Sequence, residues 1–476
     1  MLEKIFKLKE NGTDVKTEVI AGLTTFMTMA YIIALNPNLL TGFTANGGQE
    51  LWNAVFLATC IASAFGTILM AFIANKPFAM SAGMGLNSFF AVVVANIATI
   101  AGVSYLEGFR AGLCIILIEG IVFIILSALN VREKIVQAIP LGVRLGISPA
   151  IGLMLLNIGF GSNAGVYSET GGPFYAMANF FGSLTASYAK DTMGSGYPVM
   201  VLTVITMFVG LFTIVVLDHK KVKGSVLYGI LTGSVIYWAG EYFVLHINPF
   251  ASLATASWLP PFKDMAALTL FKFDFNVLKS LGMFTVVTLV LTFCIIDMFD
   301  TIGTLVGTAS RANMLDENGN MPNMKEALLS DACGTVCGAL TGTSTITTFV
   351  ESASGVEAGG RTGLTSLVTG LIFLACMFIS PIAAIIPAAA TSSALIYVGI
   401  LMLQGLKNID FDDISVCVPV FIMLVAMPIS GSIGHGIGLG LIAYTIIKFI
   451  SGKAKEVSPL TLVLSILFLV KFFFAF

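Results

Sequence analysis

The sequence predicts an all-α polytopic membrane protein whose spans form two inverted sets of seven. Three observations carry the prediction. Hydrophobic residues make up 57% of the 476 residues and charged ones only 11%, against about 25% charged in a soluble domain. Apolar stretches of about 20 residues, the length that crosses a bilayer, recur along the whole chain. Lysine and arginine concentrate in alternate connections between those stretches, as the positive-inside rule requires.

The elements follow in chain order. Residues 1–17, MLEKIFKLKENGTDVKT, are charged and amphipathic and are read as a cytoplasmic segment. They hold no apolar stretch followed by a small-residue cleavage site, so no signal peptide is expected. The first seven spans, within 18–245, are expected at 18–36, 52–74, 79–100, 110–130, 143–160, 197–217 and 224–245. An external loop, 246–282, leads to the second seven, within 283–450, at 283–307, 326–340, 343–357, 362–386, 388–406, 414–430 and 433–450. The C-terminal segment 451–476 contains one more apolar stretch, 458–475. It is either a fifteenth span or an interfacial helix with Lys471 reaching the headgroups, and the interfacial reading is favoured. With the N-terminus in the cytoplasm, cytoplasmic segments hold 18 Lys and Arg, and external ones hold Arg110, Lys190, Lys263, Lys272 and Lys279. An odd number of spans per set makes the second set inverted relative to the first.

The net charge of −2 and the lack of a basic block give no footprint for nucleic acid. The seven cysteines contain no CxxC pair, and Cys333 and Cys337, one helical turn apart, read as small-residue packing. GMGLNS, 83–88, resembles a dinucleotide fingerprint without its third glycine. No soluble βαβ unit surrounds it, so a nucleotide role is not expected.

The third span of each set is the informative one. NKPFAMSAGMGLNSFFA, 75–91, and GTSTITTFVESASGVEAGG, 342–360, are both short of bulky apolar residues and broken by Gly, Ser or Thr. Matching interruptions in two inverted halves mark the binding site of a secondary transporter. Irregular backbone in a membrane is tolerated only where protein or a water-filled cavity satisfies it. The β-branched run Thr343–Phe349 suits a short extended piece, and Phe78–Ala82 is its candidate partner. Each would lead into a half-helix whose free N–H groups point at a ligand. Gly83 and Gly85 would admit a flat ligand close to the backbone, and Asn87 offers both donor and acceptor. The competing reading is that these glycines only permit tight helix packing.

Acids inside spans cost about 2.5–3.5 kcal/mol each on the insertion scale and are functional candidates by default. Asp297, Asp300, Glu351 and Glu119 qualify. Asp297 and Asp300 share one helix face, and Glu351 follows the broken stretch. Such a carboxyl can carry a proton and release it on a conformational change, as a proton symporter requires. A metal site is the rival for Asp297 and Asp300, but no third ligand is evident. Glu119 reads as a structural partner for a hydroxyl or backbone group.

At these residues the chain resembles the nucleobase–cation symporter-2 family, in its azaguanine-like branch of adenine, guanine and hypoxanthine permeases. The matching stretches are AGLTTFMTMAYIIALNP (21–37), NKPFAMSAGMGLNSFFA (75–91), IPLGVRLGISPAIGLMLLNIGF (139–160), DMFDTIGTLVGTA (297–309) and GTSTITTFVESASGVEAGGRTGL (342–364). The resemblance implies a core domain of spans 1–4 and 8–11, about 18–130 and 283–386. It implies a gate domain of spans 5–7 and 12–14, about 137–245 and 388–450. It also implies a nucleobase held between the third, eighth and tenth spans. Asp300 and Glu351 would bind the base and couple the proton, with Asp297 assisting. Phe349, Gly83, Met84, Gly85, Asn87 and Thr348 would line the site. Thr304 stands where the uracil and xanthine branches often carry histidine, which argues for the purine branch. The expected protein is a multi-pass permease of the plasma (inner) membrane. It would be driven by a proton gradient, with no cofactor or metal, and it is compatible with a homodimer. Two other classes remain open on the residues alone: an anion exchanger of the same architecture, and a membrane enzyme using Asp297 and Asp300 to hold Mg²⁺.

Overall fold

The computed structural model describes residues 2–42, 48–129, 140–163, 197–222, 224–254, 256–311, 314, 321–430 and 433–474. Residues 164–196, with Lys190, and the basic residues Arg132 and Lys134 lie outside the described residues.

The chain opens with α1 (Leu2–Phe6) and α2 (Val15–Met29). Asp14 caps α2 by accepting from the Thr17 amide at 3.0 Å, and that bond holds its carboxyl below the usual range. Next come α3 (Ile32–Leu40), α4 (Gly48–Leu69), β1 (Met80–Ala82), α5 (Met84–Ala101) and α6 (Tyr105–Ala128). Then follow α7 (Leu141–Ile158), α8 (Tyr197–His219) and α9 (Ser225–Phe243). Two short helices, α10 (Phe262–Leu268) and α11 (Phe275–Ser280), occupy the connection. The second half contains α12 (Met283–Arg311), α13 (Met324–Thr341), β2 (Ile346–Thr348), α14 (Ser352–Glu357), α15 (Gly363–Ala375), α16 (Ser380–Ala384), α17 (Ala388–Met402), α18 (Ile414–Ser430), α19 (Ile433–Ile450) and α20 (Pro459–Phe474).

Among the described residues, 10 helices are long and apolar enough to cross a membrane. Of the fourteen stretches read from the sequence, 224–245, 326–340, 343–357 and 414–430 fall short of that measure, each for its own reason. α9 is broken up by Gly, Ser and Glu241. α13 is built from small and polar residues because it is enclosed between α4 and α6. Residues 343–357 are a strand followed by a six-residue helix. α18 is 17 residues long and carries Pro419 and Pro428.

One set of helices is built around the two strands. β1 and β2 pair antiparallel, with Met80 opposite Thr348, Ser81 opposite Thr347 and Ala82 opposite Ile346. The Gly83 amide reaches Thr345 O at 3.2 Å and the Phe349 amide reaches Ala79 O at 3.0 Å, which extends the ladder at both ends. All six strand residues are buried. Their hydrogen bonds are therefore met by protein, as the membrane interior demands.

Helices α4 and α13 cross behind the strands at glycines. A Cβ on Gly334 would lie 3.4 Å from the Gly66 Cα and 3.0 Å from the Ile346 side chain. The residue after each glycine is a threonine that holds a strand. Thr67 donates to Met80 O at 3.0 Å and accepts from its amide at 2.9 Å. Thr335 donates to Ile346 O at 3.0 Å. The packing is reciprocal: α4 lies against α13 and α15, and α13 lies against α4 and α6. Gly342, at φ +111°, ends α13 in the left-handed region and lets the chain turn into the extended stretch.

The other set, α7–α9 and α17–α19, packs on itself through small residues, as helices do in lipid. Gly152 and Gly399 face each other, and a Cβ on either would meet the other's carbonyl oxygen at 2.7 Å. α20 lies along α19 and α12, buries Leu464 and Phe468, and joins Ser465 to Thr445 at 2.8 Å.

Candidate functional site

The strands deliver the chain to a point where three segments meet. α5 begins at Met84 with Gly83 as its N-cap and no side-chain cap. Its first amides are thus left for another acceptor. Asp300 of α12 arrives there: its Oδ2 lies 3.6 Å from where a Cβ on Gly83 would stand. A carboxylate at a helix N-terminus meets the positive end of the dipole. The absent side chain at Gly83 leaves the space, because a Cβ would also stand 2.5 Å from the Thr347 methyl. Asp300 is half-buried and within electrostatic range of Asp331 and Glu351.

Asp297 and Asp300 do different things. Asp297 is fully buried and turns to the back of the strands. The Thr301 hydroxyl lies 3.0 Å from Asp297 Oδ1, 2.9 Å from Asp331 Oδ1 and 2.7 Å from the Thr347 hydroxyl. Asp331 carries the same sequence signal as Asp297, an acid inside an expected span, 326–340.

Glu351 follows β2 as the N-cap of α14. Its Oε1 accepts from the Tyr31 hydroxyl at 2.5 Å, and its carbonyl oxygen lies 3.4 Å from the Thr28 hydroxyl. Nothing in the sequence singled out Tyr31. Phe349 is buried two residues earlier, and the buried Thr348 hydroxyl has no hydrogen-bond partner among the described residues. Met84 is buried at the start of α5.

Two expected site residues face elsewhere. The Gly85 Cα looks onto the second set of helices: a Cβ there would lie 2.7 Å from Ile151 and 3.7 Å from Ile433. The Asn87 amide is spent on protein. Its nitrogen donates to Asn36 Oδ1 at 2.7 Å and Ala82 O at 3.2 Å, and its oxygen accepts from the Ser344 hydroxyl. Asn36 in turn donates to Thr59 at 2.7 Å and Thr343 at 2.8 Å. Glu119 accepts from Thr345 at 2.8 Å, the kind of partner expected of it. Among the described residues no group of three or more His, Cys, Asp or Glu is placed to hold a metal ion.

A model described as the Permease family matches residues 16–433. This chain belongs to the permease family. The permease is 36% identical over 476 residues to the adenine permease AdeP of Escherichia coli, covering 100% of this chain and 96% of that one. It is 37% identical over 473 residues to the guanine/hypoxanthine permease PbuO of Bacillus subtilis, covering 98% and 100%. Its fold is similar to the transmembrane domain of the cyanobacterial bicarbonate transporter BicA, with a TM-score of 0.60 at 14% identity over 90% of this chain and 97% of that one. These findings agree with the family resemblance carried by the motifs, and the permease is a multi-pass membrane protein.

Proposed function

We propose that the permease is a secondary transporter that imports purine nucleobases (guanine, hypoxanthine or adenine) by proton symport through alternating access. The substrate class rests on full-length relatives named for adenine and for guanine/hypoxanthine. The observation that carries the site is the approach of Asp300 to the uncapped start of α5 at Gly83, with Glu351 in electrostatic range. A purine edge mixes N–H donors with lone-pair acceptors. Asp300 and Glu351 would accept from it, the first amides of α5 would donate to it, and the Thr348 hydroxyl can do either. Phe349 and Met84 would meet its flat faces. A site built this way rejects ligands that leave its polar groups unpaired.

Behind the strands the Thr301 hydroxyl lies within 3.0 Å of Asp297 and Asp331 and 2.7 Å from the Thr347 hydroxyl. Asp297 would assist from there, while Asp300 and Glu351 would handle base and proton in front. In this reading the chain makes fourteen spans as two inverted sevens, with the third and tenth broken at β1 and β2. The reciprocal packing of α4 and α13 and the antiparallel strand pair are what such a repeat produces. The core of spans 1–4 and 8–11 carries the ligand past a gate of spans 5–7 and 12–14. The N-terminus lies in the cytoplasm of an inner-membrane protein, a homodimer suits the architecture, and the proton gradient makes a cofactor unnecessary.

The likeness to the bicarbonate transporter favours one second reading, an anion exchanger. Two carboxylates at the site oppose it, since an anion would meet like charge. The test is uptake of labelled hypoxanthine into proteoliposomes. Asp300→Asn and Glu351→Gln should each abolish concentrative uptake, collapse of the pH gradient should do the same to wild type, and excess bicarbonate should have no effect. Normal uptake by both variants would refute the site; inhibition by bicarbonate would favour the exchanger.

A further inference from the structure

We infer that Tyr31 is a positioning residue that fixes Glu351 for the ligand; this rests on the functional reading above. Tyr31 sits at the junction of α2 and α3, where the chain stays helical through the Leu35 amide to Tyr31 O at 3.0 Å. It is 3% exposed. A buried phenol needs a partner, and its hydroxyl has Glu351 Oε1 at 2.5 Å, the length of a charge-assisted O–H···O bond.

The backbone around Glu351 is held by other means. Glu18, buried at the opposite end of α2, accepts from the amides of Arg361 at 2.8 Å, Thr362 at 3.2 Å and Thr365 at 3.0 Å, and from the Thr365 hydroxyl at 2.6 Å. Between the ends, Gly355 presses on α2 so closely that a Cβ would stand 2.8 Å from Ala21 O. Residues 351–365 are thus seated on α2 without Tyr31. What the tyrosine adds is the orientation of one side chain.

A glutamate held at Oε1 offers the ligand one remaining oxygen, Oε2, in one place. The phenol takes one acceptor site of Oε1, and Oε2 keeps both of its own for a ligand N–H. Without the hydroxyl, the side chain must be ordered by the ligand itself. Ordering one such side chain and losing its charged hydrogen bond weakens binding by about tenfold.

Tyr31→Phe removes only the hydroxyl. Tyr105→Phe is the control: it removes a hydroxyl that donates to Leu40 O at 2.6 Å, at the other end of α3. Binding of labelled hypoxanthine to the purified full-length proteins should weaken about tenfold for Tyr31→Phe and less than twofold for Tyr105→Phe. In proteoliposomes KM should rise for Tyr31→Phe while the maximal rate stays within about threefold. Glu351→Asp, which draws the carboxylate one methylene back from the phenol, should reproduce the loss. Equal binding by the two tyrosine variants overturns the assignment, as does a Tyr31→Phe protein that fails to fold while Glu351→Asp binds normally. A wild-type protein that binds no purine base instead overturns the transport reading.

Discussion

The helices around the paired strands share far more of their buried polar side chains between elements than the helices that pack on themselves. Around the strands, hydroxyls and amides reach across: Asn36 to Thr59 and Thr343, Asn87 to Asn36, Thr345 to Glu119, Thr301 to Asp331. In the other set most turn back on their own helix, with Asn157 to Pro428 O at 3.1 Å and Thr445 to Ser465 at 2.8 Å as bonds that reach across. Thr213 donates to Val209 O at 2.8 Å, Ser234 to Ile230 O at 2.8 Å and Ser393 to Ala390 O at 2.6 Å. A hydroxyl bonded to its own helix constrains nothing beyond it. A side chain shared between helices ties them together, and leaving its partner unsatisfied is costly in a low-dielectric interior. The first set is therefore cross-linked through the strands, and under the proposed alternating access it would move as one piece. The second meets it through surfaces such as Gly85 against Ile151 and Ile433, which suit sliding.

The contrast breaks most sharply at Asn36. Asn36→Ala removes the acceptor of one Asn87 N–H and the donor to two threonines, with about 1–3 kcal/mol lost for each group left unsatisfied. We expect the largest fall in thermal unfolding midpoint of the substitutions considered, together with loss of hypoxanthine binding, read by a thermal-shift series with and without ligand. Retained binding at an unchanged midpoint would remove the argument for a cross-linked set.

A smaller and different effect is expected at the contact between the sets. A methyl at Gly85 must displace Ile151, at a cost of about 1–3 kcal/mol. Gly85→Ala should slow transport several-fold while hypoxanthine affinity changes less than twofold, measured as uptake rate against equilibrium binding. A matching loss of affinity would return Gly85 to the list of residues that touch the base. The smallest effect belongs to the second set: Thr213→Val should change stability by no more than about 0.5 kcal/mol, and a drop like that of Asn36→Ala would erase the distinction.

The family, and Asp300 and Glu351 as candidate site acids, were legible for concrete reasons. Asp300 and Glu351 stand out because a carboxyl in an apolar run is rare and expensive. The β-branched run at Thr343–Phe349 signals extended backbone with Phe78–Ala82 as its candidate partner, and Met80–Ala82 and Ile346–Thr348 do pair. An amide beside two glycines looks like a ligand group, and the pattern carries no record that Asn36 and Ser344 bond the Asn87 amide. Tyr31, Asn36 and Thr301 gave no signal, since a lone polar side chain in a span is as often bonded to its own helix as to a distant one.

The sequence by itself determined the membrane class, the family and the acids that the membrane would not hold without a reason, because these follow from the cost of polar groups in lipid. Only the tertiary structure decided which acid faces which partner. It gave Asp297 its partner at Thr301 and joined Tyr31 to Glu351 across 320 residues of chain. Those choices depend on how Gly66 and Gly334 let two helices cross and bring the strands together, and a one-dimensional pattern carries no record of such distances.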